Sequence, residues 1–195
     1  MGAGMAFGWH DLSLINLANG HLVEDVKLGL DLCQQGKPPA FCPDALVTSQ
    51  FPLSQQGLNS QRTRWEHGHL GLMLADAPKR AMAAITQRNA SLAALTLDLL
   101  VPPLALLVLT LLGLNLVTWL AYLLFGLAAP AWLAFAGLAL LAFAVMLAWA
   151  RFCREVIPFS VLLYAPFYAA RKIPLYLSFL IKRQVEWVRS KRDDD

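Results

Sequence analysis

Two short stretches of this chain hold residue types whose spacing could do chemistry. The first is Glu24-Asp25, a pair of carboxylates where the pattern predicts a helix to begin. The second is Gln61-Arg62-Thr63-Arg64-Trp65, in which Gln61, Arg64 and Trp65 follow an i, i+3, i+4 spacing and so share one helical face. That face offers an amide, a planar guanidinium and a flat indole. A guanidinium fork matches diphosphate oxygens in bidentate fashion, an indole suits the apolar face of a sugar ring, and a carboxylate can take a hydroxyl proton as general base. Together these groups could move a sugar from a diphosphate carrier onto an acceptor. Each alone has a plainer explanation. Acidic residues in a first helical turn complement the helix dipole, and an Arg-Trp pair can be a surface stack. The reading sharpens because Gln61 follows Asp25 by 36 residues and the pair precedes a long apolar block.

The elements that must position these residues follow from the hydropathy pattern. Leu22, Val26, Leu30 and Cys33 recur at helical spacing, and Gly36, Pro38 and Pro39 stop the helix they define. Residues 45–49 (ALVTS) predict a short strand. Ser60 can cap a helix running from Gln61 to about Leu74. Asp76 and Pro78 read as the start of another, over residues 78–96, whose Lys79, Arg80 and Arg88 suit a membrane surface. Residues 99–150 then contain no Asp, Glu, Lys or Arg. Fifty-two uncharged residues exceed one crossing of about 20. A break at residues 126–130 (GLAAP) divides them into spans of about residues 102–125 and 131–150.

Basic residues flank both outer ends of this hairpin and none lies in its turn, which places both flanks in the cytoplasm. In the tail, Pro158, Pro166 and Pro174 interrupt apolar runs punctuated by Arg171, Lys172, Lys182 and Arg183. An interfacial or re-entrant arrangement with Tyr164, Tyr168, Tyr176 and Trp187 near headgroup level fits that pattern; a third span is the alternative. The formal charge of +3 comes from this tail, a basic segment beside an apolar block, and points to anionic lipid rather than to nucleic acid. Residues 1–9 carry no signal-peptide pattern. Cys33, Cys42 and Cys153 are odd in number and widely spaced, which favours reduced thiols over disulfides or a zinc site. His67 and His69, two apart on a helix, point different ways and suit structural or hydrogen-bonding roles better than a metal site.

The sequence resembles the C-terminal half of bacterial family 2 glycosyltransferases of the cellulose synthase and hyaluronan synthase type. The resemblance is carried by GAGMAF (residues 2–7), HLVEDVKLGLDL (21–32), FCPDALVTSQFP (41–52), SQRTRWEHGHL (60–70) and the tail from residue 173 to 193. The QxxRW and ED motifs are its specific part. It implies that Asp25, with Glu24 beside it, supplies the base for the acceptor hydroxyl. It implies also that Gln61, Arg62, Arg64 and Trp65 engage the donor diphosphate and the acceptor sugar, and that Gly4 lies on the acceptor side. The implied fold is mixed α/β: residues 1–77 form the C-terminal part of a GT-A catalytic domain. An interfacial helix (78–98), two transmembrane helices (99–150) and an interfacial basic segment (151–195) follow.

The implied enzyme is an inverting transferase of the inner membrane, multi-pass, taking a nucleotide sugar to a polysaccharide or glycolipid acceptor. The family's nucleotide-binding half and its DxD metal motif have no counterpart here, since Asp193-Asp194-Asp195 reads as a solvated tail. The donor pocket and the divalent metal, Mg or Mn, are therefore expected in the complete enzyme, whose N-terminal half is either separately encoded or the front of a longer chain. A non-catalytic remnant or partner subunit, and a basic lipid anchor, are the competing functions.

Overall fold

The computed structural model describes residues 4–13, 15, 17, 20–50 and 54–181. They form helices joined by irregular segments: α1 (Trp9–Ser13), α2 (Glu24–Gln34), α3 (Gln55–Thr86), α4 (Ala90–Leu99), α5 (Leu104–Phe125), α6 (Ala128–Ala148), α7 (Phe159–Leu163), α8 (Ala165–Arg171) and α9 (Ile173–Ile181), with a π-helical turn, Trp149–Cys153, ending α6. Two compact units result. The first takes in the described residues through Pro102 together with those from Phe179 on; the second is Pro103–Ser178. The expectations for Lys182, Arg183, Trp187 and the terminal aspartates lie outside the described residues, as do those for Gly2 and Ala3.

The mixed α/β expectation for residues 1–77 is overturned, because the described residues contain no strand. Residues 45–50 are irregular and exposed throughout. A strand needs a neighbour to take up its N–H and C=O groups, and no described segment pairs with this one. Side-chain composition alone could not reveal that.

In the first unit, α2, α3 and α4 pack around Leu30, Cys33, Leu72, Ala77, Leu92 and Leu99. The acidic pair Glu24-Asp25 opens α2, and a Schellman turn closes it: Gly36 takes φ +79°, its N–H donates to Cys33 O (3.0 Å), and Lys37 N–H donates to Leu32 O (2.9 Å). Helix α3 starts earlier than the sequence predicts. Ser54, not Ser60, is its cap, accepting from Gly57 N–H at 3.2 Å. Nor does α3 stop at Pro78, which sits inside it. The bond that Pro78 cannot donate would have gone to Leu74, and both residues are exposed, so water can serve that carbonyl. The helix ends where Arg88 adopts φ +51°, with Arg88 N–H on Ile85 O and Asn89 N–H on Ala84 O.

In the second unit, α5 and α6 form a hairpin turned at Gly126, whose φ of +73° and N–H bond to Tyr122 O (2.9 Å) end α5. Helix α6 begins at Ala128, earlier than the sequence predicts, because Pro130 falls in a first turn that needs no N–H partner. Leu104–Phe125 and Ala128–Cys153 are long and apolar enough to cross a membrane; at 1.5 Å per residue the shorter spans about 33 Å. Through Ile181 the described part of the tail forms three short helices. Pro158, Pro166 and Pro174 recur every eight residues, the first capping α7 and the others in the opening turns of α8 and α9. Each proline is tolerated at a helix start and forbids continuation from the helix before.

Candidate functional site

The two residues before Glu24-Asp25 pack on α3 one turn beyond the Gln61–Trp65 motif. Leu22 and Val23 are buried, and they lie directly over Gly68 of α3. A Cβ on residue 68 would stand 2.8 Å from Val23 Cγ1 and 3.0 Å from Leu22 Cβ. Val23 immediately precedes Glu24-Asp25, and Gly68 lies three and four residues beyond Trp65 and Arg64. At 1.5 Å of rise per residue Trp65 and Arg64 lie about 4.5–6 Å, and Gln61 about 10 Å, from Gly68 along the α3 axis, while α2 continues from there toward Asp76 and Arg80. Glu24 is exposed and Asp25 partly buried; Gln61 and Arg64 are partly buried, and Arg62 faces solvent. Trp65 keeps 43% of its surface exposed, leaving part of the indole open to a ligand. Gly4 is not in this junction's contact set. It is seated against Val47, where a Cβ would come within 2.5 Å of Val47 Cγ2, and its φ of +78° favours glycine on its own account.

Further along, α2 is held on α3 by charge. Lys27 pairs with Asp31 (3.1 Å) and Asp76 (3.8 Å), and Arg80 reaches Asp31, Gln34 and, at 3.9 Å, Asp76. All four charged side chains are mostly buried. Arg80, expected at a membrane surface, is thus an interhelical tie. The signal was present in the sequence: Asp76 and Arg80 are i, i+4 on α3, and Lys27 and Asp31 are i, i+4 on α2. What spacing within one helix cannot give is which two pairs face each other. Asn89 adds a third tie. Its Oδ1 caps α4 by accepting from Leu92 N–H (2.9 Å), and its Nδ2 donates to Cys33 O at the end of α2 (2.9 Å).

Two histidines make packing and hydrogen-bond contacts within the first unit. His67 is buried with its ring edge-on to Phe179, centroids 5.3 Å apart, and His69 Nε2 lies 3.1 Å from Val101 O. His69 also borders a cavity of about 110 Å³ whose other walls include Val26, Leu30, Leu95 and Asp98. Among the described residues, no three of His, Cys, Asp or Glu come together as metal ligands. The divalent metal implied by the resemblance therefore finds no ligand set among them. Burial pushes the Cys33 thiol above its ordinary pKa range.

Sequence reasoning missed Gly68. A glycine inside a helix costs stability against alanine, so its presence one turn after Trp65 marks a place where something approaches the backbone closely.

The sequence model of glycosyl transferase family group 2 matches residues 1–182. The chain belongs to that family, and glycosyl transfer is the class of chemistry this membership supports. No curated protein and no solved structure matches the chain.

Proposed function

We propose that this chain is the acceptor-side portion of a membrane-bound, inverting glycosyltransferase of the cellulose synthase and hyaluronan synthase type. The reading is carried by the family match over residues 1–182, with the packing of Leu22-Val23, just before Asp25, on Gly68, one turn after Trp65, in support. Asp25 takes the proton from the acceptor hydroxyl. The freed oxygen attacks the anomeric carbon of a nucleotide sugar as the bond to the diphosphate breaks, and the diphosphate leaves with the electron pair. Arg64 and Gln61 hold that leaving group, Trp65 stacks on the acceptor sugar, and Arg62 adds positive charge near the donor. Glu24 starts the helix that presents Asp25, and Gly4 belongs to the acceptor side. The acceptor is a polysaccharide or a glycolipid.

The donor pocket, with its Mg or Mn, belongs to a nucleotide-binding half of the complete enzyme outside these residues. The exposure of Phe41 (91%) and Leu46 (89%), both in irregular segments of the first unit, supports a further polypeptide surface there. The two apolar helices cross the inner membrane with both flanks cytoplasmic. In support, Arg151 and Arg154 follow the second helix while the Gly126 turn is uncharged. A cysteine at Ala128 should then react with an impermeant thiol reagent outside intact cells; labelling only of Ser190→Cys would reverse the topology.

The decisive test is Asp25→Asn in membranes containing the complete enzyme, with expression matched. Removing a general base costs on the order of 10²–10⁴ in rate and should leave donor binding nearly unchanged. Transfer at the wild-type rate would leave Glu24-Asp25 as helix-dipole residues and favour the non-catalytic reading.

A further inference from the structure

We propose that Gly68 is a positioning residue that fixes the distance between the start of α2 and the Gln61–Trp65 turn of α3. The inference rests on the reading that these two turns act together on one acceptor. Gly68 is buried in the middle of a 32-residue helix, where glycine lacks any propensity advantage. No left-handed backbone requires it there; its φ is helical, unlike Gly4, Gly36 or Gly126. What requires it is approach. The atoms that a Cβ would meet are Val23 Cγ1 at 2.8 Å, Leu22 Cβ at 3.0 Å and Val23 Cγ2 at 3.4 Å. Two of these belong to a β-branched side chain stiff at χ1, and the third is bonded to the backbone of Leu22. None is the far end of a flexible side chain that could swing aside.

A methyl group at residue 68 must therefore push the Leu22-Val23 backbone away from α3. The turn it pushes is the one that carries Asp25 two residues later. Lys27, Asp31, Asp76 and Arg80 anchor α2 further along and resist a rigid shift of the whole helix, so displacement concentrates at its N-terminal end. Misplacing a reacting group by about 1 Å can cost about 100-fold in rate. Asp25 would move relative to Arg64 and Trp65 while each of those side chains stays chemically intact. The expected signature is a loss in kcat with the donor KM retained.

The experiment is a rescue cycle in membranes containing the complete enzyme. Gly68→Ala should lower kcat by about 10- to 100-fold without changing donor KM. Val23→Ala removes both Cγ atoms and should restore most of the rate in the double variant Gly68→Ala/Val23→Ala, bringing it near that of Val23→Ala alone. A wild-type rate for Gly68→Ala, or a loss that Val23→Ala does not relieve, would overturn the proposal. A second measurement needs no activity. Gly68→Ala should lower the unfolding midpoint of the first unit, and adding Val23→Ala should cost less than the sum of the two single losses. Strictly additive losses would also overturn it. Asp25→Asn, assayed alongside, tests the base separately. An active Asp25→Asn enzyme with an intact rescue and a non-additive midpoint would sink the base assignment and keep Gly68 as the spacer of the two turns.

Discussion

In the first unit, the side chains withdrawn from the surface include Leu30, Leu72, Leu92 and Leu99, and Lys79 and Arg88 stay outside. In the α5–α6 hairpin the withdrawn residues are Ala105, Asn115 and Ala131, while Leu116, Leu123, Phe125, Leu133 and Phe143 face outward. The first arrangement buries large apolar side chains, although Leu74, Met82, Ile85 and Leu97 stay exposed on α3 and α4. The second is its inverse, with small and polar groups between helices and large apolar ones around them, as expected where the surrounding medium is hydrocarbon and small residues permit close helix approach. Gly137 fits this pattern, since a Cβ there would sit in ordinary contact, 3.6 Å from Leu111 Cδ2. Aromatic rings collect toward the Gly126 turn, where Trp119 meets both Tyr122 and Trp132, and at the other end, where Trp149 meets Phe159. Rings gathered at both ends match the belts that mark membrane interfaces. The contrast is between helices tied by charge in the first unit and helices tied by one amide among apolar side chains in the second.

The largest test of that contrast is Arg80→Met. It leaves Asp31 and Asp76 facing each other with Lys27 as their only cation in the tie, and strands Gln34. Removing one partner of a buried ionic group costs about 3–5 kcal/mol; with the slight exposure at this site, about 2–3 kcal/mol is expected. Chemical unfolding of the first unit, followed by a probe on α2, would measure it. An unchanged midpoint would mean that the tie contributes specificity but no stability, and the contrast with the hairpin would lose its energetic meaning.

Asn115 is the hairpin's counterpart. Its amide donates to Leu111 O (2.9 Å) on its own helix and to Ala134 O (3.0 Å) across on α6. Thr118 donates only within α5, to Leu114 O and Asn115 O. The amide therefore ties α5 to α6. Asn115→Leu should weaken α5–α6 association by about 1–2 kcal/mol, and Thr118→Val by a few tenths at most. Thermal unfolding in detergent would rank the two; equal effects would show that the cross-helix bond is not what matters.

How far the sequence could be read depended on whether a feature was local. Helix α2 was legible because its apolar period and its Gly36 stop lie within one segment. The hairpin was legible because fifty-two uncharged residues admit few alternatives. The strand at residues 45–49 was misread because strandedness is a property of a pair, not of ALVTS. Asp25 and the QxxRW face were visible as motifs. What the structure adds is the close packing of the α2 start on Gly68, whose reason for being glycine lies 45 residues upstream at Val23.

The two Schellman turns of the first unit offer a smaller test, since they share a geometry and differ in residue. Gly36 closes α2 in the left-handed region at little cost, whereas Arg88 closes α3 with φ +51° despite its Cβ. The left-handed conformation costs a non-glycine residue roughly 1–2 kcal/mol. Arg88→Gly also removes a cation that complements the helix C-terminus, worth about 0.3–1 kcal/mol. A net gain of about 0.5–1 kcal/mol is expected, read as a raised unfolding midpoint. A loss would mean that Arg88's charge outweighs its strained backbone.

The smallest effect at neutral pH is the thiol at the centre of that unit. Cys33 has no exposed surface, and burial raises its pKa because the thiolate loses its hydration. In the unfolded chain the same thiol ionises near its ordinary value of about 8.5. Below that pH both states hold the proton and the group leaves stability untouched. Above it the unfolded state releases its proton first, so stability contributed by the protonated core falls as pH rises. Cys42 lies exposed in an irregular segment and serves as the internal control. At pH 8 a small alkylating reagent should modify Cys42 readily and leave Cys33 intact until the unit unfolds. Raising the pH to 10 should lower the unfolding midpoint of the wild type more than that of Cys33→Ala. Rapid alkylation of Cys33 in the folded protein at pH 8 would show that the α2–α3–α4 core opens more freely than its charge ties suggest, and would shrink the difference between the two units.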